Sequence, residues 1–268
     1  MKLYSFIFLI SIISCATRQE SQCKSPEEYR NKSVATILKE AKEIVSRPNE
    51  KKAITFCVYG KKKMYTYGVL ENIDIAKDLY PTWDVVVFFD SKSVPPDIIQ
   101  QAKDKGAVVK VGPEYANASS RFFVADMDYD RFISRDADSR IYPREVAAVA
   151  DWMKEDWAIL HGMHDKEGDF DPLLAGMWGA KIHPLREKLK QAYNEDKMQT
   201  LYKNFIGDKK AVYGDDQKFL EDIVLKAVGI DHFLTHESYK CHLFPHSRGF
   251  PITRGIGGVH IGGVRNWD

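Results

Sequence analysis

The sequence lacks the features that would assign it to several large classes of protein. Its 39 basic and 38 acidic residues nearly cancel, leaving a net charge of +1, and no long Lys/Arg block occurs. A nucleic-acid partner bound through phosphate neutralisation is therefore not expected, and neither is a polybasic membrane patch. With 44% hydrophobic residues the composition is that of a globular chain, which excludes a disordered or collagen-like protein.

Metal-binding and phosphate-binding signatures are equally scarce. The four cysteines form no CxxC pair, which excludes a zinc ribbon or a thioredoxin-type motif. Neither GxGxxG nor GxxxxGK[ST] follows the first predicted strand, so a dinucleotide dehydrogenase or a P-loop ATPase has no support. His161 and His164 have the spacing of a helical zinc pair, but no HExxH accompanies them, and a zinc hydrolase is not favoured.

The first residues are typical of a targeting segment. A mostly apolar run extends from Leu3 to Ser14, which is shorter than the roughly 20 residues that a transmembrane helix needs. We expect residues 1–18 to be a signal peptide. The run ending at Cys15 also resembles a bacterial lipoprotein signal, in which the cysteine is lipidated, and both alternatives stay open. The expected location is the secretory pathway or the cell envelope, with membrane contact only through a lipid anchor.

Strand and helix patterns alternate along the rest of the chain. Residues 19–51 form a leader segment with one predicted helix around 34–45. Buried strands are predicted at 53–60, 84–90 and 107–111, with intervening helices at 67–80 and after Pro95-Pro96. This order is typical of a parallel sheet with crossover helices, whose ligands bind beyond the carboxyl ends of the strands. We predict one α/β domain over residues 52–268, with a mostly parallel central sheet flanked by helices.

A pair of aspartates follows the fourth predicted strand, which covers residues 131–134. Asp136 and Asp138 are two residues apart, so that in an extended segment both carboxylates face the same side. Two hard oxygen ligands suit Mg²⁺ or Mn²⁺, which can then bridge to the phosphates of a nucleotide. The alternative is a solvated loop whose charges pair with one another.

The residues around this pair resemble a known family. The core Arg135-Asp136-Ala137-Asp138-Ser139-Arg140 is similar to nucleotide-sugar-dependent glycosyltransferases of the GT-A fold. The closest likeness is to a poorly characterised group with an Arg-Asp-x-Asp-Ser-Arg core. The likeness extends over about residues 53–255 and includes four further stretches: Tyr80-Pro81-x-Trp83, Gly176-Met177-Trp178-Gly179, Tyr213-Gly214-Asp215-Asp216-Gln217 and His236-Glu237-Ser238-Tyr239.

The resemblance implies a metal-dependent transferase that moves a sugar from a nucleotide-diphosphate donor, a UDP- or GDP-sugar, to an unknown glycan, lipid or protein acceptor. Asp136 and Asp138 would hold Mn²⁺ or Mg²⁺ on the donor diphosphate. His236 would be the third ligand, and His260 is the second choice for that role. A strand histidine that is hydrogen-bonded in place is the alternative for His236.

The resemblance also implies residues that contact the donor. Tyr59, at the end of the first strand, would lie beside the nucleotide base. Arg121 and Arg135 would meet phosphate oxygens through charge-assisted hydrogen bonds, and a salt bridge is the alternative for each. The glycine-rich tail around His260 would be a flap over the phosphates or a loose terminus.

On the acceptor side, Asp216 would act as the catalytic base on an acceptor hydroxyl if the transfer inverts configuration, or would help to hold the donor or acceptor if configuration is retained. Capping of a helix is the alternative for Asp216. Gly176, Trp178 and Gln217 would bind the acceptor, since glycine admits a ligand close to the backbone and an indole face can stack on a sugar. Core packing is the alternative for Trp178.

A different class of function stays open. Bacterial nucleotide sugars are cytosolic, whereas a signal peptide exports the chain, although a eukaryotic secretory lumen imports such donors. The alternative is a non-catalytic, lipid-anchored or secreted envelope binding protein that keeps the GT-A fold.

Overall fold

Strands and helices alternate in the computed structural model, which describes residues 23–169, 171–255 and 259–265. The strands are β1 Lys52–Val58, β2 Trp83–Asp90, β3 Val108–Gly112, β4 Arg131–Arg135, β5 Leu160–His164, β6 Met177–Lys181, β7 Phe233–Glu237 and β8 Ser247–Gly249. The α-helices are α1 Glu27–Arg30, α2 Val34–Val45, α3 Lys63–Leu79, α4 Pro96–Asp104, α5 Pro143–Met153, α6 Ile182–Tyr193, α7 Met198–Ile206, α8 Asp215–Phe219 and α9 Lys226–Val228. A 3₁₀ segment, Ala118–Asp126, precedes β4, and a π-helical turn, Leu220–Leu225, joins α8 to α9.

The strands form one sheet in the order β3-β2-β1-β4-β6-β5-β7-β8. Every neighbouring pair is parallel except for the two that involve β6, which is antiparallel to both β4 and β5. The predicted α/β domain with a mostly parallel sheet is confirmed. Because seven strands run the same way, their carboxyl ends lie along one edge, which is the edge where such sheets bind ligands.

Both faces of the sheet are covered, which explains the continuous apolar runs of the central strands. On β1, Ile54 and Phe56 pack on the face that carries α2 to α5, while Ala53 and Cys57 point to the opposite face. The second face is covered by the 3₁₀ segment and by α6 to α8. Alternation along a strand thus places every residue of β1 in a core.

Two elements differ from the sequence-based expectation. The stretch 183–205 has the sequence pattern of one charged amphipathic helix, but it forms two helices, because Asn194 adopts a left-handed conformation (φ 55°) that ends α6 before α7 begins. The stretch around Trp178 was expected to line a ligand site, but most of it forms β6 in the middle of the sheet.

The leader segment contains the helix that the sequence predicts there. Helix α2 buries Ile37, Ala41 and Val45 in the main core, and its start is capped by Ser33, whose hydroxyl accepts from the Thr36 amide at 3.1 Å. The signal peptide predicted at 1–18, with Cys15, lies outside the described residues. None of the helices within the described ranges combines the length and the apolar character that crossing a bilayer requires.

A disulfide connects the start of the described chain to its far end. Cys23 is bonded to Cys241 across a sequence separation of 218 residues, and the Cys23 amide donates to the Ser238 carbonyl at 2.8 Å. This pairing was not predicted, although an even number of cysteines behind a secretory leader is the usual signal of a disulfide.

Reduction of this disulfide is expected to destabilise the fold. Opening so long a loop restores entropy to the unfolded chain, and losses of about 2–5 kcal/mol are typical. The measurement is the urea midpoint with and without dithiothreitol. The Cys23→Ser/Cys241→Ser variant is the control, since the reductant should not shift its midpoint further. An unchanged wild-type midpoint on reduction would contradict the expectation.

Candidate functional site

A cavity of about 720 Å³ opens at the carboxyl edge of the sheet. Its walls come from the residues that follow β1 and β4, from the loop before β6, from the 3₁₀ segment and from residues 211–217. Chain reversal at β6 matters here, because the loop from β5 to β6 then begins and ends at the same edge as Asp136. The cavity is therefore where the topology predicts a ligand site.

Asp136 and Asp138 both line this cavity. They lie in a tight turn after β4 rather than in an extended strand, and the Ser139 hydroxyl closes the turn by donating to the Asp136 carbonyl at 3.0 Å. The Asp136 side chain is 42% exposed, so it is accessible from the cavity. Burial, and next the negative charge of Asp136, raise the pKa of the Asp138 carboxyl. A cation bound near the two carboxylates would offset this repulsion.

Arg121 also lines the cavity, but its guanidinium is already paired with two carboxylates. Its Nη1 donates to Asp136 Oδ1 at 2.7 Å, its Nη2 to Asp216 Oδ2 at 3.1 Å and its Nε to the Ala175 carbonyl at 3.2 Å. Burial alone would lower the pKa of Arg121, but the neighbouring carboxylates, Asp136 first, outweigh burial and raise it. Arg121 therefore fits the salt-bridge alternative better than the role of an unpaired arginine that binds the donor phosphates.

Asp216 faces the cavity from the start of α8, with its side chain 15% exposed. It does not cap the helix: the cap residue is Gly214, in a left-handed conformation that suits glycine. The neighbouring Asp215 turns away and accepts from the Val212 amide at 2.6 Å. Of the two adjacent carboxylates, Asp216 is therefore the one available to a ligand.

Gly176 and Gln217 line the cavity, and their contacts hold neighbouring parts of its wall in place. A Cβ built on Gly176 would collide with the carboxylate of Asp136, so only glycine leaves Asp136 its position. The Gln217 amide binds the loop before β6, where it accepts from the Ala175 nitrogen at 3.1 Å and donates to the Leu173 carbonyl. The polar atoms of Gln217 thus hold the wall rather than a ligand.

Replacing Gly176 by alanine is expected to displace Asp136 and to weaken cation binding. Any transfer rate should fall about 100-fold, because a shift near 1 Å in a reacting site costs on that order. Calorimetric titration with Mn²⁺ is the measurement. Gly255→Ala is the matched control, since no atom of the described residues lies within 4 Å of a Cβ at Gly255. Equal Mn²⁺ affinity in both variants would contradict the steric assignment.

Two tyrosines and a cysteine complete the wall near β1. Tyr59, 45% exposed, lies just after the strand, at the rim position where a base is expected, and burial raises its pKa to about 12. Burial, and next the charge of Asp138, raise the pKa of Tyr65. Burial also raises the pKa of the Cys57 thiol to about 11, so this free cysteine is not a thiolate at neutral pH.

The structure does not bring Arg135 to the cavity, which corrects its assignment to phosphate. Its guanidinium points into the core, where Nε pairs with Glu145 at 2.8 Å and Nη1 donates to the Ser134 carbonyl at 2.7 Å. Both side chains of this ion pair are nearly fully buried. Arg135 ends a strand whose side chains alternate, so it faces away from Asp136.

Trp178 is also displaced from its expected role. It is fully buried on β6 and makes edge contacts with Phe122 and Phe132, at centroid distances of 5.3 Å and 4.9 Å. Core packing, the alternative for this residue, is what the structure contains, so Trp178 is not an acceptor platform.

His236 lies in the core instead of beside the aspartate pair. Its two ring nitrogens bond to His161 at 2.8 Å and to Asp151 at 3.1 Å, and its side chain is fully buried. Burial lowers the pKa of His236 despite the Asp151 carboxylate. His236 is therefore a strand histidine that is hydrogen-bonded in place, which was the alternative. Its prediction as a metal ligand is wrong.

The tail that contains His260 docks against the site. Ile261 is buried, its amide donates to Asp165 at 2.8 Å, and the Arg265 amide donates to the Asp138 carbonyl at 2.8 Å. Gly262 and Val264 line the cavity, whereas residues 256–258 lie outside the described residues. The tail within 259–265 is therefore part of the wall rather than a loose terminus.

Two further acidic residues of the cavity, Asp169 and Asp171, lie in the loop between β5 and β6 and were not predicted. Their position after a parallel strand could have indicated them, since such loops line the ligand site. His164, at the end of β5, fixes this loop: its ring bonds to Glu237 at 2.6 Å and to the Asp171 carbonyl at 2.8 Å.

The donors fit a divalent cation that shares its coordination with a substrate. Within 23–169, 171–255 and 259–265, no cluster of three or more His, Cys, Asp or Glu side chains is arranged to hold a metal. Asp136 and Asp138 supply two hard oxygen donors, and Mg²⁺ or Mn²⁺ commonly completes its shell with phosphate oxygens and water. These two carboxylates would hold the ion, and His236 would not.

Comparison with known proteins found structural similarity only. No protein-family model matches the chain, and no curated protein sequence matches it significantly. The chain is similar to a solved mannosyltransferase from Pyrobaculum calidifontis in complex with GDP-mannose and Mn²⁺, with 13% identity, a TM-score of 0.42 and coverage of 67% of this chain and 61% of that one. The present chain thus spans less than two thirds of that protein.

Two synthases of known structure are similar as well. Glucosyl-3-phosphoglycerate synthase from Mycobacterium tuberculosis, solved with Mn²⁺, UDP-glucose and phosphoglyceric acid, is 14% identical with a TM-score of 0.49, over 81% of this chain and 76% of that one. Mannosyl-3-phosphoglycerate synthase from Rubrobacter xylanophilus is 12% identical with a TM-score of 0.47, over 81% and 71%. At these scores the likenesses carry no argument about chemistry, which depends on the residues of the site itself.

Proposed function

We propose that the protein is a divalent-cation-dependent glycosyltransferase of the GT-A type, which moves a sugar from a UDP- or GDP-sugar to an acceptor hydroxyl. One observation carries the proposal: Asp136, Asp138 and Asp216 face a single cavity of about 720 Å³ at the carboxyl edge of a parallel sheet. That volume accommodates a nucleotide-sized ligand. The resemblance around the Arg-Asp-x-Asp-Ser-Arg core supports the same reaction.

The charges of the wall support cation dependence. Five aspartates line the cavity, and Arg121 is the only basic side chain among its described lining residues. A diphosphate would be repelled by such a wall unless a cation bound with it. When bound at Asp136 and Asp138, Mn²⁺ or Mg²⁺ supplies Lewis-acid stabilisation of the charge on the departing diphosphate.

The remaining residues divide into a donor side and an acceptor side. Tyr59 would lie beside the base at the rim of the cavity. Asp216 would accept the proton of the attacking hydroxyl in an inverting transfer. Gly176 and Gln217 shape the wall through their contacts with Asp136 and the loop before β6.

The proposed location is an oxidising compartment, either a secretory lumen or the cell envelope. The disulfide Cys23–Cys241 supports this, because such bonds persist mainly outside the cytosol. Intact-mass and N-terminal analysis of the protein purified from its source tests the leader. A mature chain that begins near residue 19 indicates a signal peptide, and one that begins at a lipidated Cys15 indicates an anchor.

A thermal-shift screen of nucleoside diphosphates, with and without Mn²⁺, tests the binding part of the proposal. Ligands that bind the native state raise the melting temperature, so UDP or GDP should stabilise the protein only when Mn²⁺ is present. Adenosine diphosphate with Mn²⁺ is the control for non-specific phosphate binding. No shift with any nucleotide and Mn²⁺ would contradict the proposal.

Release of UDP from UDP-sugars, or of GDP from GDP-sugars, tests catalysis without knowledge of the acceptor, since transferases often hydrolyse donors slowly. If the protein binds nucleotides but releases neither UDP nor GDP from any donor that is tested, a non-catalytic envelope binding protein with this fold would be favoured.

A further inference from the structure

A single buried guanidinium joins the two carboxylates that the proposed function needs. Arg121 is 5% exposed, and its backbone carbonyl is fixed to the central strand β1 by the Thr55 hydroxyl at 2.8 Å. From this fixed position its Nη1 reaches Asp136 at the end of β4, and its Nη2 reaches Asp216 at the start of α8. These two residues are 80 positions apart in sequence, and both line the cavity.

The geometry leaves Arg121 little freedom for another partner. Its third nitrogen, Nε, donates to the Ala175 carbonyl at 3.2 Å, which also accepts from the Ser134 hydroxyl at 3.0 Å. All three nitrogens therefore have acceptors on three different segments of the wall. A planar fork held in this way fixes the angle between its two carboxylates, which a lysine ammonium cannot do.

We propose that Arg121 is a positioning residue that couples cation binding at Asp136 to the orientation of Asp216. The proposal rests on the proposed function, since it assigns the cation to Asp136 and the proton transfer to Asp216. A divalent cation and Nη1 compete for the same carboxylate. Arg121 therefore weakens cation binding, and at the same time it holds Asp216 in the geometry that the acceptor hydroxyl requires.

Two substitutions separate the charge of Arg121 from its shape. Arg121→Gln removes the competing charge, so Mn²⁺ should bind about tenfold more tightly, while the turnover number for nucleotide release falls about 100-fold because Asp216 loses its support. Arg121→Lys keeps the charge but not the fork. It should bind Mn²⁺ like the wild type and still lose most of the turnover. A variant that was merely damaged would not bind its cation more tightly.

The experiment measures Mn²⁺ affinity by calorimetry without nucleotide, the turnover number and KM for UDP release, and the urea midpoint for each variant. Arg186→Gln is the matched control: it removes one positive charge from a side chain that binds the Ala125 and Met127 carbonyls outside the cavity. It should leave both Mn²⁺ affinity and turnover unchanged.

A double-variant cycle keeps the test decisive if Arg121→Gln does not fold. In an Asp216→Asn background, Arg121→Lys should lower the turnover number no further, because its effect acts through Asp216. Additive losses would overturn the coupling, and so would a joint fall of Mn²⁺ affinity and turnover in Arg121→Gln. A wild-type protein that binds no Mn²⁺-nucleotide overturns the proposed function itself. A wild-type protein that binds and releases nucleotide, with Arg121 variants that behave like Arg186→Gln, overturns only this inference.

Discussion

Replacing Asp136 or Asp138 by asparagine is expected to weaken Mn²⁺-dependent binding of UDP or GDP by at least about 100-fold while leaving the fold intact. Each substitution removes one of the two anionic oxygen donors, and the amide that replaces it is neutral. The fold should survive because both side chains are only partly buried and face the cavity rather than a core. Calorimetric titration of the nucleotide with Mn²⁺, together with the melting temperature, is the measurement.

The matched control for these variants is Asp215→Asn. It makes the same chemical change beside the cavity, but the Asp215 carboxylate binds the Val212 amide and does not line the cavity. Its nucleotide binding should stay within about twofold of the wild type, a difference of a few tenths of a kcal/mol. Unchanged titrations for both Asp136→Asn and Asp138→Asn would remove the cation from the proposed site.

Replacing Arg135 by methionine is expected to destabilise the protein by about 3–5 kcal/mol, because it leaves the carboxyl of Glu145 buried without its partner. The two side chains are only 3% and 1% exposed, and Nε lies 2.8 Å from Oε1. Burial already raises the pKa of Glu145 even with Arg135 beside it. Losing the guanidinium should raise that pKa further.

The sign of the pH dependence follows from this shift. A buried acid with a raised pKa keeps its proton in the folded state after the unfolded chain has released it, so stability falls as pH rises between the two values. Urea unfolding of Arg135→Met should therefore show a larger deficit at pH 8 than at pH 5. The double variant Arg135→Met/Glu145→Gln should recover much of the loss and remove its pH dependence. A stability equal to that of the wild type at both pH values would contradict the buried ion pair.

Much of the fold can be predicted from the sequence, because strands buried on both faces have continuous apolar runs. The strands at 53–60, 84–90 and 107–111 correspond to β1, β2 and β3 within a few residues. Strand β6 was not predicted because Gly179 interrupts its apolar pattern and Gly176 directly precedes it. Each glycine is required by a close contact, Gly176 with Asp136 and Gly179 with the Phe132 carbonyl. The end of α6 at Asn194 was not predicted, because a single residue in the left-handed conformation does not change the periodicity of the apolar residues.

The site could be predicted only in part. Loops after parallel strands indicated where Asp136, Asp138 and Tyr59 lie, and these residues line the cavity. The direction of side chains could not be inferred in the same way. Arg135 and Asp136 are sequence neighbours, yet one faces Glu145 in the core and the other faces the cavity.

Histidine roles were the least predictable from sequence. An imidazole serves equally as a ligand or as a buried hydrogen-bond partner, and only the packing of His236 against His161 and Asp151 decides between these roles.

The disulfide at Cys23 has a consequence for the border of the sheet. Strand β8 is three residues long and, among the described strands, pairs only with β7. Residues 24 and 25 pack beside it: Ser25 Oγ donates to the Phe250 carbonyl at 2.8 Å, and the Lys24 carbonyl lies where a Cβ on Gly249 would point. Because the cross-link to Cys241 holds this segment in place, reduction should loosen the β8 border before the central strands.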